Sequence, residues 1–161
     1  LLEQGDREIK ICNNKSKIKF EMNNCVLISK VIDGRFPDYS KVVPKGNDKI
    51  LRIKLDEFKN SIERVTAVSS DRTKGLKMNI SKDVVQLSVN NPSSGEGIEN
   101  INAKFNSNDL NISFNSRYLL DIASQIENES ITINFNDAGS PVLINDFSDK
   151  NSYYVVMPMK I

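Results

Sequence analysis

The chain has 161 residues and a net charge of +1, from 22 Lys and Arg against 21 Asp and Glu, without a polybasic arm or an acidic tail. It contains no histidine, which removes the commonest general base, the commonest metal ligand and every Ser-His or Cys-His nucleophile. No run of 18 apolar residues predicts a membrane span, and the first residues lack the pattern of a signal peptide. Cys12 and Cys25 are expected to be reduced thiols of a cytosolic protein.

The first part of the chain predicts a three-stranded antiparallel meander. Apolar and polar residues alternate around 9–11, 18–22 and 26–32, and Asn-Asn pairs at 13–14 and 23–24 separate the three runs. Such a meander has one apolar face that needs a cover. Since the chain also starts without Met, we expect the meander to be the last part of a domain whose first half lies upstream.

A connector over 33–46 follows, marked by two prolines and two glycines. Its Phe, Tyr and Val residues indicate that it packs against the protein. It predicts a domain boundary, with one part over 1–43 and a second domain over 44–161.

The second domain is predicted to start with a strand over 50–54 and a helix from Leu55. Four strands follow, and a polar loop over 90–100 is expected to separate the second from the third. A second helix is expected to begin after an N-cap at Asn115 or Ser116. Each helix is predicted from apolar residues at helical spacing. These are Leu55, Phe58, Ile62, Val65 and Val68 in the first helix, and Tyr118, Leu119, Ile122, Ala123 and Ile126 in the second.

Three more strands are predicted, over 131–135, 142–144 and 153–159. The last is an unbroken apolar run, typical of a strand covered on both faces, and Pro158 predicts that its pairing ends there or runs along an edge. The order β-α-β-β-β-β-α-β-β-β predicts an α+β fold with antiparallel sheets and both helices on one side. The meander matches the last three strands of this order, so the chain resembles one copy and a fraction of a repeated domain.

The sequence has no phosphate-binding loop, Rossmann glycine pattern or Cys-x-x-Cys, so we expect no cofactor and no metal. Acidic pairs at Asp146 and Asp149, and at Glu96 and Glu99, leave open an enzyme that uses carboxylates. Basic residues on or beside the helices form either an ordinary solvated face or a phosphate-facing surface that does not read sequence. These residues are Lys59, Arg64, Arg72, Lys74 and Arg117.

Apolar residues from three segments either belong to the core, which the pattern alone favours, or line a groove for short peptides. They are Pro37, Val42, Tyr118, Val155, Met157, Pro158 and Met159.

The segments 31–39 (VIDGRFPDY), 118–121 (YLLD) and 154–161 (YVVMPMKI) resemble, in order and spacing, the bacterial sliding clamp family, the beta subunit of DNA polymerase III. The resemblance implies the DNA-clamp fold, in a head-to-tail homodimeric ring with three similar domains per subunit. Residues 1–43 would then be the last strands of the middle domain with the connector, and 44–161 the complete third domain. The implied function is a non-catalytic subunit of a DNA-directed DNA polymerase (a nucleotidyltransferase holoenzyme) that encircles duplex DNA in the cytoplasm and provides processivity.

Partners of this family dock short peptide motifs into a hydrophobic cleft between the middle and third domains. They are the replicative polymerase catalytic subunit, the clamp loader, repair and translesion polymerases, and mismatch-repair proteins. The resemblance places the cleft wall here at Pro37, Lys41, Val42, Asn115, Tyr118, Pro141, Val155, Val156, Met157, Pro158 and Met159. It places the ring interface at Ala67, Val68, Glu96 and Glu99. Lys41 and Lys160 stand where arginine is frequent in the family, and Thr73 stands where some members have an aromatic residue. A β-rich interaction module without a DNA role remains the alternative.

Overall fold

The computed structural model describes residues 8–22, 25–34, 38–69, 74–146 and 152–160. It divides the chain into two compact units, with the division between Asp38 and Tyr39.

The N-terminal unit is the predicted antiparallel meander. Its strands are β1 (Lys10–Asn13), β2 (Lys17–Met22) and β3 (Cys25–Lys30), in the order β1-β2-β3. The turn between β1 and β2 is fixed by Asn14, whose Oδ1 accepts hydrogen bonds from the backbone N–H groups of Ser16 at 2.9 Å and Lys17 at 2.8 Å. Apolar side chains of this unit, such as Ile11 and Ile28, are exposed.

The C-terminal unit has the predicted order of strands and helices. A 3-10 turn at Tyr39–Lys41 comes first. The elements are β4 (Lys49–Lys54), α1 (Leu55–Thr66), β5 (Gly75–Ile80), β6 (Val84–Asn91), β7 (Gly95–Phe105), β8 (Leu110–Asn115), α2 (Ser116–Ala123), β9 (Ser130–Phe135), β10 (Val142–Asn145) and β11 (Tyr153–Val156). The α+β fold class is therefore confirmed.

These eight strands form one sheet in the order β11-β10-β9-β4-β7-β6-β5-β8, and every neighbouring pair is antiparallel. The long strand β7 belongs to both halves of the sheet, because residues 95–102 pair with β6 and residues 103–105 pair with β4. The first and last strands of this order are also connected. The N–H of Met159, which follows β11, donates a hydrogen bond to the Ser113 carbonyl of β8 at 2.7 Å. This hydrogen bond ties the chain after β11 to the strand that leads into α2.

Both helices are held by their apolar faces. Helix α1 packs against α2 and against strands that include β6 and β7, and it buries Phe58, Ile62 and Val65. Helix α2 begins after Asn115, whose side-chain Oδ1 accepts a hydrogen bond from the Arg117 N–H at 3.0 Å. The structure thus selects Asn115 from the two predicted N-caps, since its oxygen satisfies a backbone donor that the helix leaves unpaired.

The predicted loop over 90–100 is wrong. Strand β6 continues to Asn91 and β7 begins at Gly95, so residues 92–94 alone connect them. The polar composition suggested a loop, but the backbone groups of this stretch pair across the hairpin, in register from Val84↔Asn102 to Asn91↔Gly95. Tertiary pairing overrides low strand propensity here.

The predicted extent and cover of the last strand are also wrong. Strand β11 ends at Val156, and it is an edge strand in which Val156 is the one buried residue. The pairing ends before Pro158, which has no N–H for a ladder hydrogen bond. No helix among the residues that the structure describes is long and apolar enough to cross a membrane.

Candidate functional site

A cavity of about 560 Å³ lies between helix α2 and strand β11. Among the described residues, its lining combines aromatic and aliphatic side chains with one carboxylate. The lining residues are Tyr118, Asp121, Ile122, Tyr153, Tyr154, Val155, Val156 and Met157.

Helix α2 supplies one wall through the positions i, i+3 and i+4, which lie on one face of a helix. Those positions are Tyr118, Asp121 and Ile122. A neighbouring face of the helix is anchored in the core by Leu119 and Ala123, which are both buried. Because the buried face fixes the rotation of the helix, Tyr118 stays 57 % exposed at the cavity.

Strand β11 and the residue after it supply the other wall. Val156 is buried and pairs in register with Val142 of β10, which holds the end of the strand in the sheet. The ladder stops there, and Met157 is 58 % exposed. A flexible thioether on one wall and an exposed phenol ring on the other can adapt to an apolar ligand, so this arrangement suits a short hydrophobic segment.

The structure thus brings four of the predicted cleft residues together on this cavity: Tyr118, Val155, Val156 and Met157. Asn115, Pro158 and Met159 are adjacent in the chain to its two walls. Among the described residues, Lys41, Val42 and Pro141 do not contribute to the lining; Lys41 and Val42 are exposed, and the Pro141 carbonyl accepts a hydrogen bond from Asn47 Nδ2 at 2.9 Å. Pro37 lies outside the described residues.

Four lining residues were not predicted: Asp121, Ile122, Tyr153 and Tyr154. Asp121 and Ile122 follow from the helical spacing to Tyr118. Tyr153 and Tyr154 belong to the same short strand as Val155, so every position of β11 contributes to the wall.

The predicted basic surface is not uniform. Arg117 is exposed, Lys59 and Lys74 are half-buried, and Arg72 lies outside the described residues. Arg64 is engaged by Glu99: its Nε donates to Glu99 Oε2 at 3.0 Å, and its Nη2 contacts Oε1. The positive charge of Arg64 is therefore already compensated within the unit.

The residues predicted for a ring interface lie where the end of α1 meets the β6–β7 hairpin. Asn91 Nδ2 donates to the Val68 carbonyl at 2.8 Å, and a Cβ on Gly97 would lie 2.6 Å from the carbonyl oxygen of Val65. Glu96, next to Gly97, and Ala67, which follows α1, are exposed, and Val68 and Glu99 are half-buried. The backbone of β7 thus approaches α1 closely enough to hold this surface together.

The Arg64–Glu99 pair also has an electrostatic consequence. The hydrogen bond from Arg64, with a second from Ser61 Oγ at 2.9 Å, lowers the pKa of Glu99 from its ordinary value of 4.5. A depressed folded-state pKa gives stability that is present above the unfolded value and is lost as pH falls through the folded value. The effect is small, because Arg64 is mostly exposed.

We therefore expect Glu99→Gln to lower the free energy of unfolding at pH 7, and the difference from the native protein to shrink below pH 4.5 as Glu99 becomes protonated. Urea unfolding between pH 3 and pH 7 measures this difference. A difference that stays constant across the range would show that the charge of Glu99 is irrelevant and only its shape matters.

Only one member of the other acidic pair lies within the described residues. Asp146 is buried, and its Oδ2 accepts a hydrogen bond from the Glu127 N–H at 3.4 Å, while Asp149 lies outside the described residues. Within the described ranges, no group of three or more Cys, Asp or Glu side chains is placed to hold a metal ion.

The family model described as DNA polymerase III beta subunit, C-terminal domain, matches residues 40–160. The chain belongs to the DNA polymerase III beta subunit family. The match covers both helices and all eight strands of the C-terminal unit.

Members of the beta subunit family match along the whole chain. The beta sliding clamp of Caulobacter vibrioides strain NA1000 is 34% identical and that of Escherichia coli strain K12 is 30% identical, each over 161 residues. The chain spans 43% and 44% of the length of these two relatives.

Solved structures of beta subunits agree with the fold. The sliding clamp of Bartonella birtlesii bound to griselimycin has a TM-score of 0.86 at 38% identity, over 95% of this chain and 41% of that one. The sliding clamp of Pseudomonas aeruginosa with ligand has a TM-score of 0.85 at 30% identity, over 99% of this chain and 43% of that one.

Proposed function

We propose that this chain is part of a DNA sliding clamp, the processivity factor of a replicative DNA polymerase, and that its C-terminal unit docks peptides of partner proteins. The observation that supports docking is the convergence of Tyr118 with Val155, Val156 and Met157 on one cavity. The family membership supports the clamp function, since the relatives are named beta sliding clamps.

In this proposal the two units are the last strands of a middle clamp domain and a complete third domain. Two such subunits close head to tail into a ring around duplex DNA. The surface where α1 meets the β6–β7 hairpin, with Ala67, Val68, Glu96 and Glu99, is the ring contact. The protein acts in the cytoplasm as a non-catalytic subunit of the polymerase holoenzyme.

The charge of the chain fits a ring that slides. A net charge of +1 and few free cations on the helices favour weak contacts with phosphates that do not read sequence. Lys59, Lys74, Arg72 and Arg117 are the proposed DNA-facing residues, with Arg64 reduced in importance by its pairing with Glu99. Encirclement then provides processivity by topology, so tight binding of DNA is unnecessary.

The proposed cleft residues fall into two groups. Tyr118, Val155, Val156 and Met157 form the cavity, and Asn115, Pro158 and Met159 flank it. Pro37, Lys41, Val42 and Pro141 are proposed to extend the cleft. Its occupants are short motifs of the polymerase catalytic subunit, the clamp loader, repair and translesion polymerases and mismatch-repair proteins. A few buried anchors can supply most of the affinity of such a peptide.

Griselimycin, which is bound to the relatives from Bartonella birtlesii and Pseudomonas aeruginosa, is proposed to bind this chain at the cavity between α2 and β11. It is therefore a defined probe for the site.

Retention on circular DNA tests the clamp function. The protein is purified from its own source, loaded onto a nicked circular plasmid by its clamp loader with ATP, and separated from free protein by gel filtration. We expect it to stay with the circular plasmid and to be lost once a restriction enzyme linearises that plasmid. Equal retention on circular and linear DNA would show that the protein binds DNA without encircling it. No retention on either DNA would favour an interaction module without a DNA role.

A further inference from the structure

The cavity at α2 and β11 is not uniformly apolar. Of the eight described residues that line it, seven are aromatic or aliphatic and one, Asp121, carries a carboxylate. Asp121 is exposed and lies one helical turn after Tyr118 on the same face of α2. A carboxylate beside a hydrophobic docking surface selects among ligands that share the same apolar groups.

The carboxylate of Asp121 makes no hydrogen bond or ion pair within the described part of the chain. The contact of this residue is through its backbone, where the carbonyl accepts a hydrogen bond from Ser124 Oγ at 2.7 Å. Among the described residues, no lysine or arginine lines the cavity. Within the described ranges, the carboxylate of Asp121 therefore has no cationic neighbour on the cavity wall.

Two tyrosines accompany this carboxylate. Tyr118 is 57 % exposed and Tyr153 is 44 % exposed, and both line the cavity. The face of an aromatic ring attracts a cation through its quadrupole, and this attraction adds to that of a carboxylate. Aromatic rings and a carboxylate around one cavity are the surroundings that favour an ammonium or guanidinium group.

We propose that Tyr118, Asp121 and Tyr153 form a subsite for a basic side chain, lysine or arginine, of the docked peptide. The proposal rests on the peptide-docking function proposed above and specifies which peptides the cavity prefers. Asp121 is a specificity-determining residue in this account, whereas Met157 and the valines of β11 bind the apolar anchors.

The geometry of β11 also sets the spacing in the ligand. Tyr153 and Met157 are four residues apart along an extended segment, which corresponds to about 13 Å. An extended peptide covers that distance with about four residues. The basic side chain is therefore expected about four positions from the apolar side chain that contacts Met157.

A matched pair of peptides tests the subsite. Twelve-residue peptides that tile the catalytic polymerase subunit of the same organism are screened for binding to the protein by fluorescence anisotropy. The tightest is then made with arginine, or with its uncharged isostere citrulline, at the position four residues from its apolar anchor. We expect the native protein to prefer the arginine form by about 3- to 10-fold, as one ion pair and one cation–π contact allow.

Asp121→Asn is expected to reduce this preference to less than about twofold while the citrulline peptide binds as before, because only the charge has been removed. Tyr153→Leu should reduce it partially, and Tyr153→Phe should preserve it. Glu127→Gln is the control for net charge, since Glu127 is exposed and lies outside the cavity lining.

Equal binding of the two peptides to the native protein, or a preference that survives Asp121→Asn, would overturn the subsite. The apolar anchors are tested separately with Met157→Ala, which should weaken both peptides equally. If no tiled peptide binds, or if Met157→Ala changes neither affinity, the docking function itself is wrong and the subsite falls with it.

Discussion

A protein with both Tyr118→Ala and Met157→Ala is expected to bind griselimycin at least about 30-fold more weakly than the native protein. Both side chains are more than half exposed and line the cavity, so they are available to a ligand rather than to the core. Truncation of a central anchor of a binding site typically costs 2 kcal/mol or more, and about 2 kcal/mol corresponds to a 30-fold change in Kd.

The two substitutions are also measured singly, by isothermal titration calorimetry. The side chains lie on opposite walls of one cavity, so the double variant is not expected to equal the sum of the single ones. Val84→Ala is the control, because Val84 is a partly exposed apolar residue of β6 that lies outside the lining. An affinity of the double variant within twofold of native, with its fold intact by circular dichroism, would remove this cavity from the docking function.

Replacing Gly97 with alanine is expected to lower the free energy of unfolding by about 2–3 kcal/mol. The added Cβ would stand 2.6 Å from the carbonyl oxygen of Val65, which is closer than such contacts occur. That oxygen belongs to the backbone of α1, and the Val65 side chain is buried, so neither group can move without shifting the helix. Overpacking of this kind costs about 1–3 kcal/mol.

Gly46→Ala is the matched control, because a Cβ there would meet no atom within 4 Å. We expect it to change stability by less than about 0.5 kcal/mol, as for an ordinary surface position. Urea unfolding followed by circular dichroism gives both values. If Gly97→Ala also stays within about 0.5 kcal/mol of the native protein, β7 and α1 do not pack as closely as described. Since this contact supports the proposed ring interface, Gly97→Ala is also expected to weaken dimerisation.

Much of the fold was predictable because the apolar residues recur at helical spacing in some segments and at every second position in others. The apolar spacing from Leu55 to Val65 predicted α1, and the alternation in the strands predicted the order of the C-terminal unit. The part of the β6–β7 hairpin between residues 90 and 100 was not predictable from composition. Its Asn, Gly and Glu residues are typical of a loop, and they form strands only because β6 and β7 pair with each other.

The candidate site was harder to predict than the fold. Periodicity placed Tyr118 on the apolar face of α2, but the structure leaves it mostly exposed, since Leu119 and Ala123 hold that helix to the core. Its place beside the terminal strand was predicted through the family resemblance. Asp121 was missed because a carboxylate on a helix surface is usually a solvated residue, and the sequence does not show that it lines a cavity together with β11.

Amide chemical shifts of the ¹⁵N-labelled protein during a griselimycin titration test the central claim most directly, because they locate the ligand without a mutation. The docking account predicts that the largest shifts fall on Tyr118, Ile122, Val155 and Met157, the residues that join α2 to β11 around the cavity. Shifts that cluster on other strands while these four amides stay unchanged would contradict it.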